Sequence, residues 1–390
     1  LSSRSTWREE LKQALTEVVS CADDFVDIRW RSLRHRFGWD GIPKIQPYIG
    51  YADSTTVRLH GRVLTNPPAE LPGENDRWWQ NLANTYQRFE SDEVPDCEVE
   101  IRLGEITHRT VTDAEGYFFV EEPHEFTDTS RGLWSKATIQ IVNHPRVSSD
   151  ASLVTCRVMT PPRNAKFGVI SDVDDTILYT GVTRLLTMAK LTFLGNSRTR
   201  LPLAGAASLY HALQGTEKPE NSESLNPIFY VSSSPWNLFD LLEDFLELNR
   251  IPLGPLLLRD LGFDTNKFLA EGHDHKLDKA RNILNQYPDL PFLLFGDSGE
   301  DDARLYATAA EEFGEQITAI FIRDVDPDVI SDRDESVGAS IKRAEAAGVP
   351  MHLIRDSIEA AEILHSMQLL DAADVAMVRS ATAVDLKRGA

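Results

Sequence analysis

Three hydrophobic rhythms divide the chain. Trp7, Leu11, Leu15, Val18, Ala22, Phe25 and Leu33 recur at steps of three and four with charges between them. That spacing predicts an amphipathic helical segment over 1–46. From 47 to 160 the pattern shortens to VRLHGRVL, CEVEIRLG, THRTVTD, GYFFVEE, KATIQIVN and VTCRVM, rich in β-branched and aromatic residues and separated by turn residues. These segments predict a small antiparallel β-sandwich, with a hairpin closed at Ala114-Glu115-Gly116. Residues 66–96, which carry Trp78 and Trp79, are too long for a tight turn and read as a helical excursion or a partner-binding loop. Pro161-Pro162-Arg163-Asn164 reads as a linker.

Beyond 165 the rhythm changes to continuous apolar runs alternating with helical spacing. Phe167–Ile170, Ile228–Val231, Phe292–Phe295, Ala319–Ile322 and His352–Ile354 read as buried strands. Helices fill most of 182–215 and 238–248 and finish the chain. Alternation of this kind predicts an α/β fold with a parallel, doubly wound, three-layer sheet over 165–365, followed by a helical tail at 366–390.

Composition narrows the classes. The formal net charge of −21 argues against nucleic acid as a partner. Cys21, Cys97 and Cys156 show no metal spacing, and so sparse and odd a set predicts reduced thiols and a cytoplasmic location. No apolar run approaches the ~20 residues that span a bilayer. The chain begins at Leu1 and not at Met, which leaves room for a removed leader. Against the acidic average, IRWRSLRHRFGW at 28–39 mixes Arg29, Arg31, Arg34 and Arg36 with Trp30, Phe37 and Trp39. Such a stretch suits transient contact with an anionic membrane surface, or pairing with the protein's own acids.

The chemistry collects where apolar runs stop. The first ends in Asp172, Asp174, Asp175 and Thr176, the second in Ser232-Ser233-Ser234, and the third in GDSGEDD, with Asp297 and Asp302. In a parallel sheet these ends share one edge, the edge where ligands bind. Asp172 and Asp174 are two residues apart and face the same way on extended backbone. Carboxylates from two strand ends, Asp172 and Asp297, make an oxygen site for a hard cation, with Mg²⁺ the natural candidate. The dinucleotide and Lys-bearing phosphate-loop fingerprints are absent. Ser232 and a lysine could hold phosphoryl oxygens. Of Lys267, Lys276 and Lys279, Lys276 is preferred because it begins the helix leading into the Asp297 strand.

The order DxDxT, strand-Ser, Lys, GDxxxxD resembles the haloacid dehalogenase (HAD) superfamily of phosphotransferases, with its Rossmannoid sheet. SDVDDTI, FYVSSSPWNL, LRD at 258–260, HK at 275–276 and FGDSGEDD further resemble the actin-patch-protein type of Mg²⁺-dependent phosphatidate phosphatase, a relative of the lipins. PYIGY at 47–51 and GRVL at 61–64 look like its bacterial members. The resemblance implies that Asp172 is the nucleophile of a phosphoaspartyl intermediate. It implies that Asp174 is the acid and base and lends a carbonyl to the metal, and that Ser232 and Lys276 grip the phosphoryl group, with Ser233 and Thr176 beside it. Asp172, Asp174, Asp297 and Asp302 would form the metal site. One departure is Arg304, where the family carries an acid. The implied activity is hydrolysis of phosphatidate to diacylglycerol and phosphate, peripherally at the membrane. A phosphatase for a soluble phosphomonoester and a catalytically silent phosphatidate-binding module are the alternatives. The presence of both Asp172 and Asp174 favours catalysis, and the short insert at 181–226 predicts a site without a separate cap.

Overall fold

The computed structural model describes residues 42–65, 93–123, 132–173, 203–216, 225–236, 239–259, 274–325 and 332–389. The amphipathic segment before residue 42, including the arginine-rich stretch 28–39, lies outside these residues, as do residues 66–92.

Eight strands make the first sheet: β1 (Lys44–Pro47), β2 (Gly50–Ala52), β3 (Thr56–Leu64), β4 (Glu98–Leu103), β5 (Ile106–Val111), β6 (Tyr117–Pro123), β7 (Trp134–Ile141) and β8 (Val154–Met159). Their pairing runs β1-β3-β2-β8-β7-β4-β5, with β6 on β3. Alternate residues such as Val57, Leu59, Val99, Ile101, Ile139 and Val158 turn inward to one shared core. Three expectations change. First, β1 starts at Lys44, inside the segment expected to be helical. Second, the sheet is mixed and not wholly antiparallel, because the short β2 runs parallel to β8 while pairing antiparallel with β3. Third, the turn at 113–117 forms, closed by Asp113 N to Tyr117 O at 2.8 Å, yet its flanking strands do not make a hairpin. β5 pairs with β4 across the two-residue turn Gly104-Glu105, where Gly104 takes a positive φ, and β6 pairs with β3.

The second sheet contains β9 (Gly168–Asp172), β10 (Ile228–Pro235), β11 (Leu256–Arg259), β12 (Phe292–Asp297), β13 (Ile317–Arg323) and β14 (Met351–Ile354). All neighbouring pairs are parallel. Helices cover both faces, which is why these strands are apolar on both sides. One face packs on α1 (Ala206–Gln214), α2 (Phe239–Leu248), α6 (Ser357–Ser366) and α7 (Ala372–Gly389) through Val169, Tyr230, Leu293 and Phe321. The other packs on α3 (Asp274–Gln286), α4 (Asp302–Phe313) and α5 (Asp332–Ala346) through Ile170, Phe229, Leu294 and Ile320. The C-terminal helix is docked: Val375 and Val378 are buried, and Asp385 Oδ2 accepts from Gly205 N at 2.9 Å. Among the described residues no helix is long and apolar enough to cross a membrane.

The strand order is β11-β10-β9-β12-β13-β14. Numbered from β9, that is 3-2-1-4-5-6, so connections diverge between β9 and β12 and leave a crevice at their carboxyl ends.

The stretch PYIGY clamps the two sheets together. Tyr48 stacks on Trp236 at 4.6 Å and packs on Phe239 at 4.3 Å. Tyr51 meets Phe229 edge-on at 5.5 Å, and Tyr287 Oη donates to Ala52 O at 3.0 Å. Gly50 between the tyrosines has no room for a side chain: a Cβ there would lie 2.3 Å from Leu59 Cδ2 and 2.8 Å from Arg58 O.

Candidate active site

The crevice between β9 and β12 holds the acids. Asp172 closes β9 and Asp297 closes β12, with Phe295 in register with Ser171. On the other flank Val231 of β10 is in register with Asp172, which sets Ser232 just beyond it. Asp172, Asp297, Asp302 and Lys276 are all buried. Four buried ionisable groups at one strand edge are costly unless they compensate one another.

Lys276, in the first turn of α3, is the compensating charge. Its Nζ lies 2.6 Å from Asp172 Oδ1, 2.8 Å from Glu300 Oε2 and 2.8 Å from Asp302 Oδ1. Burial works against its charged form, but the carboxylates of Asp172, Asp302, Glu300 and Asp297 outweigh burial and hold the ammonium well above its ordinary pKa. Burial pushes the carboxyls of Asp172 and Asp297 well above their usual range, with the neighbouring acids adding to the shift and Lys276 opposing it. Asp302 is raised for the same leading reason. One ammonium cannot neutralise this many carboxylates.

The GDSGEDD loop is shaped by its first acid. Asp297 Oδ1 accepts from Gly299 N at 2.5 Å and Glu300 N at 2.9 Å, a side-chain turn that returns Glu300 toward Lys276. Asp302, at the start of α4, accepts from Asp297 N through Oδ2 at 3.3 Å. Gly296 keeps the approach close, since a Cβ on it would lie 2.7 Å from Asp302 Cβ and Oδ2. Behind β9, Ser171 Oγ donates to Asp172 O at 2.7 Å and meets Tyr210 Oη at 2.5 Å.

These residues fit a divalent cation. Ligand oxygens of Asp172, Glu300 and Asp302 lie within 4.8 Å of one another. Asp172 Oδ2 and Asp297 Oδ2 are buried without a hydrogen-bond partner. A hard cation of charge two would satisfy such oxygens and cancel the excess negative charge.

The structure therefore brings Asp172, Lys276, Asp297 and Asp302 to one place, with Ser232 on the adjoining strand. Ser232 Oγ accepts from Ser234 N at 2.9 Å, while Ser233 Oγ is buried without a hydrogen-bond partner. Asp174 and Thr176 lie outside the described residues, as does Lys267. Lys279 is elsewhere: its Nζ donates to Leu257 O at 3.0 Å and to Leu258 O. Glu300 was not singled out from the sequence, where it is one acid among several. The signal that could have found it is Asp297 two positions before a glycine, the composition of a turn that folds back. Arg304, the departure from the family pattern, sits within 3.5 Å of exposed Asp301.

The similarity to known proteins falls on the same part of the chain. Residues 167–324 match the family described as phosphatidate phosphatase APP1, catalytic domain. Phosphatidate phosphatase APP1 of Saccharomyces cerevisiae is 35% identical over 158 residues, covering 40% of this chain and 25% of that protein. The uncharacterized protein C29B5.04c of Schizosaccharomyces pombe is 27% identical over 219 residues, covering 55% of this chain and 34% of that protein. The chain thus spans a quarter to a third of the length of these relatives. A solved carbohydrate acetylesterase from Xanthomonas citri aligns at 10% identity over 78% of this chain and 74% of its own, with a TM-score of 0.26, too low to carry an argument. The matched stretch opens on the strand that ends in Asp172 and closes one residue past the strand beside Asp297, so the similarity to the APP1-type phosphatidate phosphatase catalytic domain falls on the segment that carries the crevice.

Proposed function

We propose that this chain is a Mg²⁺-dependent phosphatidate phosphatase of HAD type, working through a phosphoaspartyl intermediate. The observation that carries the reading is the convergence of Asp172, Lys276, Asp297 and Asp302 at one crevice, inside the stretch matched to a phosphatidate phosphatase catalytic domain.

The nucleophile is Asp172. A carboxylate oxygen attacks phosphorus, an acyl-phosphate bond forms, and the bond from phosphorus to the glyceryl oxygen breaks. Asp174 gives its proton to the departing alkoxide. It then takes a proton from the water that attacks the acyl phosphate, which releases inorganic phosphate and restores Asp172. Lys276 and Ser232 hold phosphoryl oxygens, supported by Ser233 and Thr176. Asp172, Asp297 and Asp302 would hold Mg²⁺ together with the Asp174 carbonyl, and Glu300 joins them on geometric grounds. The bound cation supplies positive charge for the phosphoryl oxygens. Lys276 is paired to the nucleophile here, so substrate binding must transfer it from Asp172 to the phosphoryl group. The arginine-rich stretch 28–39 serves the approach to an anionic lipid surface.

The test is phosphate release from phosphatidate in mixed micelles and from a small soluble phosphomonoester, with Mg²⁺ or chelator, and with Asp172→Asn as control. Mg²⁺-dependent release from the lipid, lost in the variant, is the expected result. Release from the soluble ester alone moves the substrate, and release from neither leaves a binding module.

A further inference from the structure

A cleft of about 710 Å³ lies between the first sheet, the β10–β11 edge of the parallel sheet and α3. We infer that it receives the acyl chains of a single phospholipid whose phosphate occupies the Lys276 site. This rests on the phosphatidate reading above.

The first argument is the lining. One wall is aromatic: Tyr48 stacks on Trp236 at 4.6 Å, and His60 meets Trp236 edge-on at 4.5 Å. Phe119 extends that wall and is 53% exposed. The opposite side is the β11 edge, where Leu256 and Leu258 are turned into the core and Lys279 Nζ donates to Leu257 O and Leu258 O. His60 belongs to the apolar wall too, since burial and the nearby Lys279 hold its pKa down to about 4 and leave the ring neutral at pH 7. A phosphorylated sugar or polyol has no apolar group that would need such a space, whereas clefts of this size bury ligands of many atoms.

The second argument is charge. In a chain of net charge −21, the lining carries Arg58, Arg259 and Lys279 against Glu121 and Asp278. Within the lining Arg58 pairs with Glu121 at 2.6 Å, and Asp278 pairs with Arg281 at 2.7 Å. A cleft with one aromatic wall and more basic than acidic lining residues complements an anionic lipid.

The third argument is continuity. His275 lines the cleft and is the residue before Lys276 on α3. Trp236 lines it four residues past Ser232, at the exit of β10. The two groups assigned to the phosphoryl oxygens therefore have close chain neighbours on the cleft wall.

The experiment uses the full chain as Asp172→Asn, so that lipid binds without turnover. Dioctanoyl phosphatidate carrying bromine on its acyl chains is titrated in while tryptophan fluorescence is read. Quenching is expected in Asp172→Asn and should fall clearly in Asp172→Asn/Trp236→Phe, with the folds of both checked by circular dichroism. Equal quenching in the two proteins, or none, overturns the inference. A second arm needs no tryptophan. Phe119→Asp in the active protein should lower the ratio of kcat/KM for phosphatidate to that for the small ester by about tenfold, the scale set by a hydrophobic contact. Leu386→Asp, at an exposed position on α7, should leave that ratio alone. An equal fall in both variants would reduce the effect to general loss of micelle contact and would also overturn the inference. The two readings fail separately. Phosphate release from phosphatidate without quenching through Trp236 keeps the reaction and removes the cleft. Quenching through Trp236 without phosphate release keeps the lipid site and removes the phosphatase.

Discussion

Lys276 Nζ sits 2.6 Å from Asp172 Oδ1, and the two side chains are 1% and 0% exposed. The pair joins the start of a helix to the end of the central strand, in a cluster with more negative than positive groups.

That imbalance predicts opposite stability effects for its two members. Lys276→Met strands several buried carboxylates and should cost about 3–5 kcal/mol in chelator. Asp172→Asn removes one of the competing acids and should cost clearly less. Urea denaturation of both variants in EDTA is the check, and equal losses would contradict the charge account. Both variants should lose phosphate release by about a thousandfold or more.

Divalent cation should stabilise the folded chain in proportion to how well these oxygens hold it. At a hundredfold excess over Kd the gain is about 2.7 kcal/mol, visible as a rise in Tm on adding Mg²⁺. Asp297→Asn should abolish most of the rise, because it neutralises a buried carboxylate whose Oδ2 has no hydrogen-bond partner. An undiminished rise in that variant would place the cation elsewhere.

Gly296→Ala tests the close approach of β12 to α4. The added methyl would meet Asp302 at 2.7 Å and the Tyr306 ring at 2.9 Å. Asp302 must shift, which moves a partner of Lys276. Phosphate release should fall by about tenfold or more while the chain stays folded, as small misplacements at reacting groups do.

His60 makes stability depend on pH. Its folded pKa, about 4, lies below the unfolded value near 6.5. Between those values the unfolded chain binds the extra proton, so stability falls as pH drops from about 6.5 to 4. The full loss approaches about 3 kcal/mol. His60→Gln should flatten the fall in urea midpoint across that window.

Glu243 on α2 acts with the opposite sign. Burial, aided by Glu247, Asp240 and Asp244, raises its carboxyl to about 7. The unfolded chain loses that proton first as pH rises above about 4.5, so stability declines between about 4.5 and 7. Glu243→Gln should be more stable than the parent at pH 8, on the order of 1 kcal/mol. A difference as large at pH 4 would show that packing, and not ionisation, is responsible.

Five of the six parallel strands were legible because each is a continuous apolar run ending in a polar residue. Leu256–Arg259 was not recognised, since four residues after Pro252 and Pro255 are too few to establish a rhythm. The false hairpin at 113–117 has a related cause: turn residues report where the chain reverses, but β5 is paired with β4 across Gly104-Glu105 and β6 with the distant β3. Glu300 could not be told from Asp301 by type, and it is the Asp297 side chain accepting from Glu300 N that turns it inward.

By itself, the order of residues determined the alternation of strand and helix, the acids and hydroxyls at strand ends, and the resemblance that suggested their chemistry, because these are properties of chain segments a few residues long. Only the tertiary structure decided that β9 and β12 are neighbours at the point where the connections diverge, that Lys276 and not Lys279 meets the acids, and that PYIGY lines a cleft between the two sheets. Those are relations across tens or hundreds of residues, set by which buried faces pack together, and burial is also what raises the pKa values of Asp172 and Asp297.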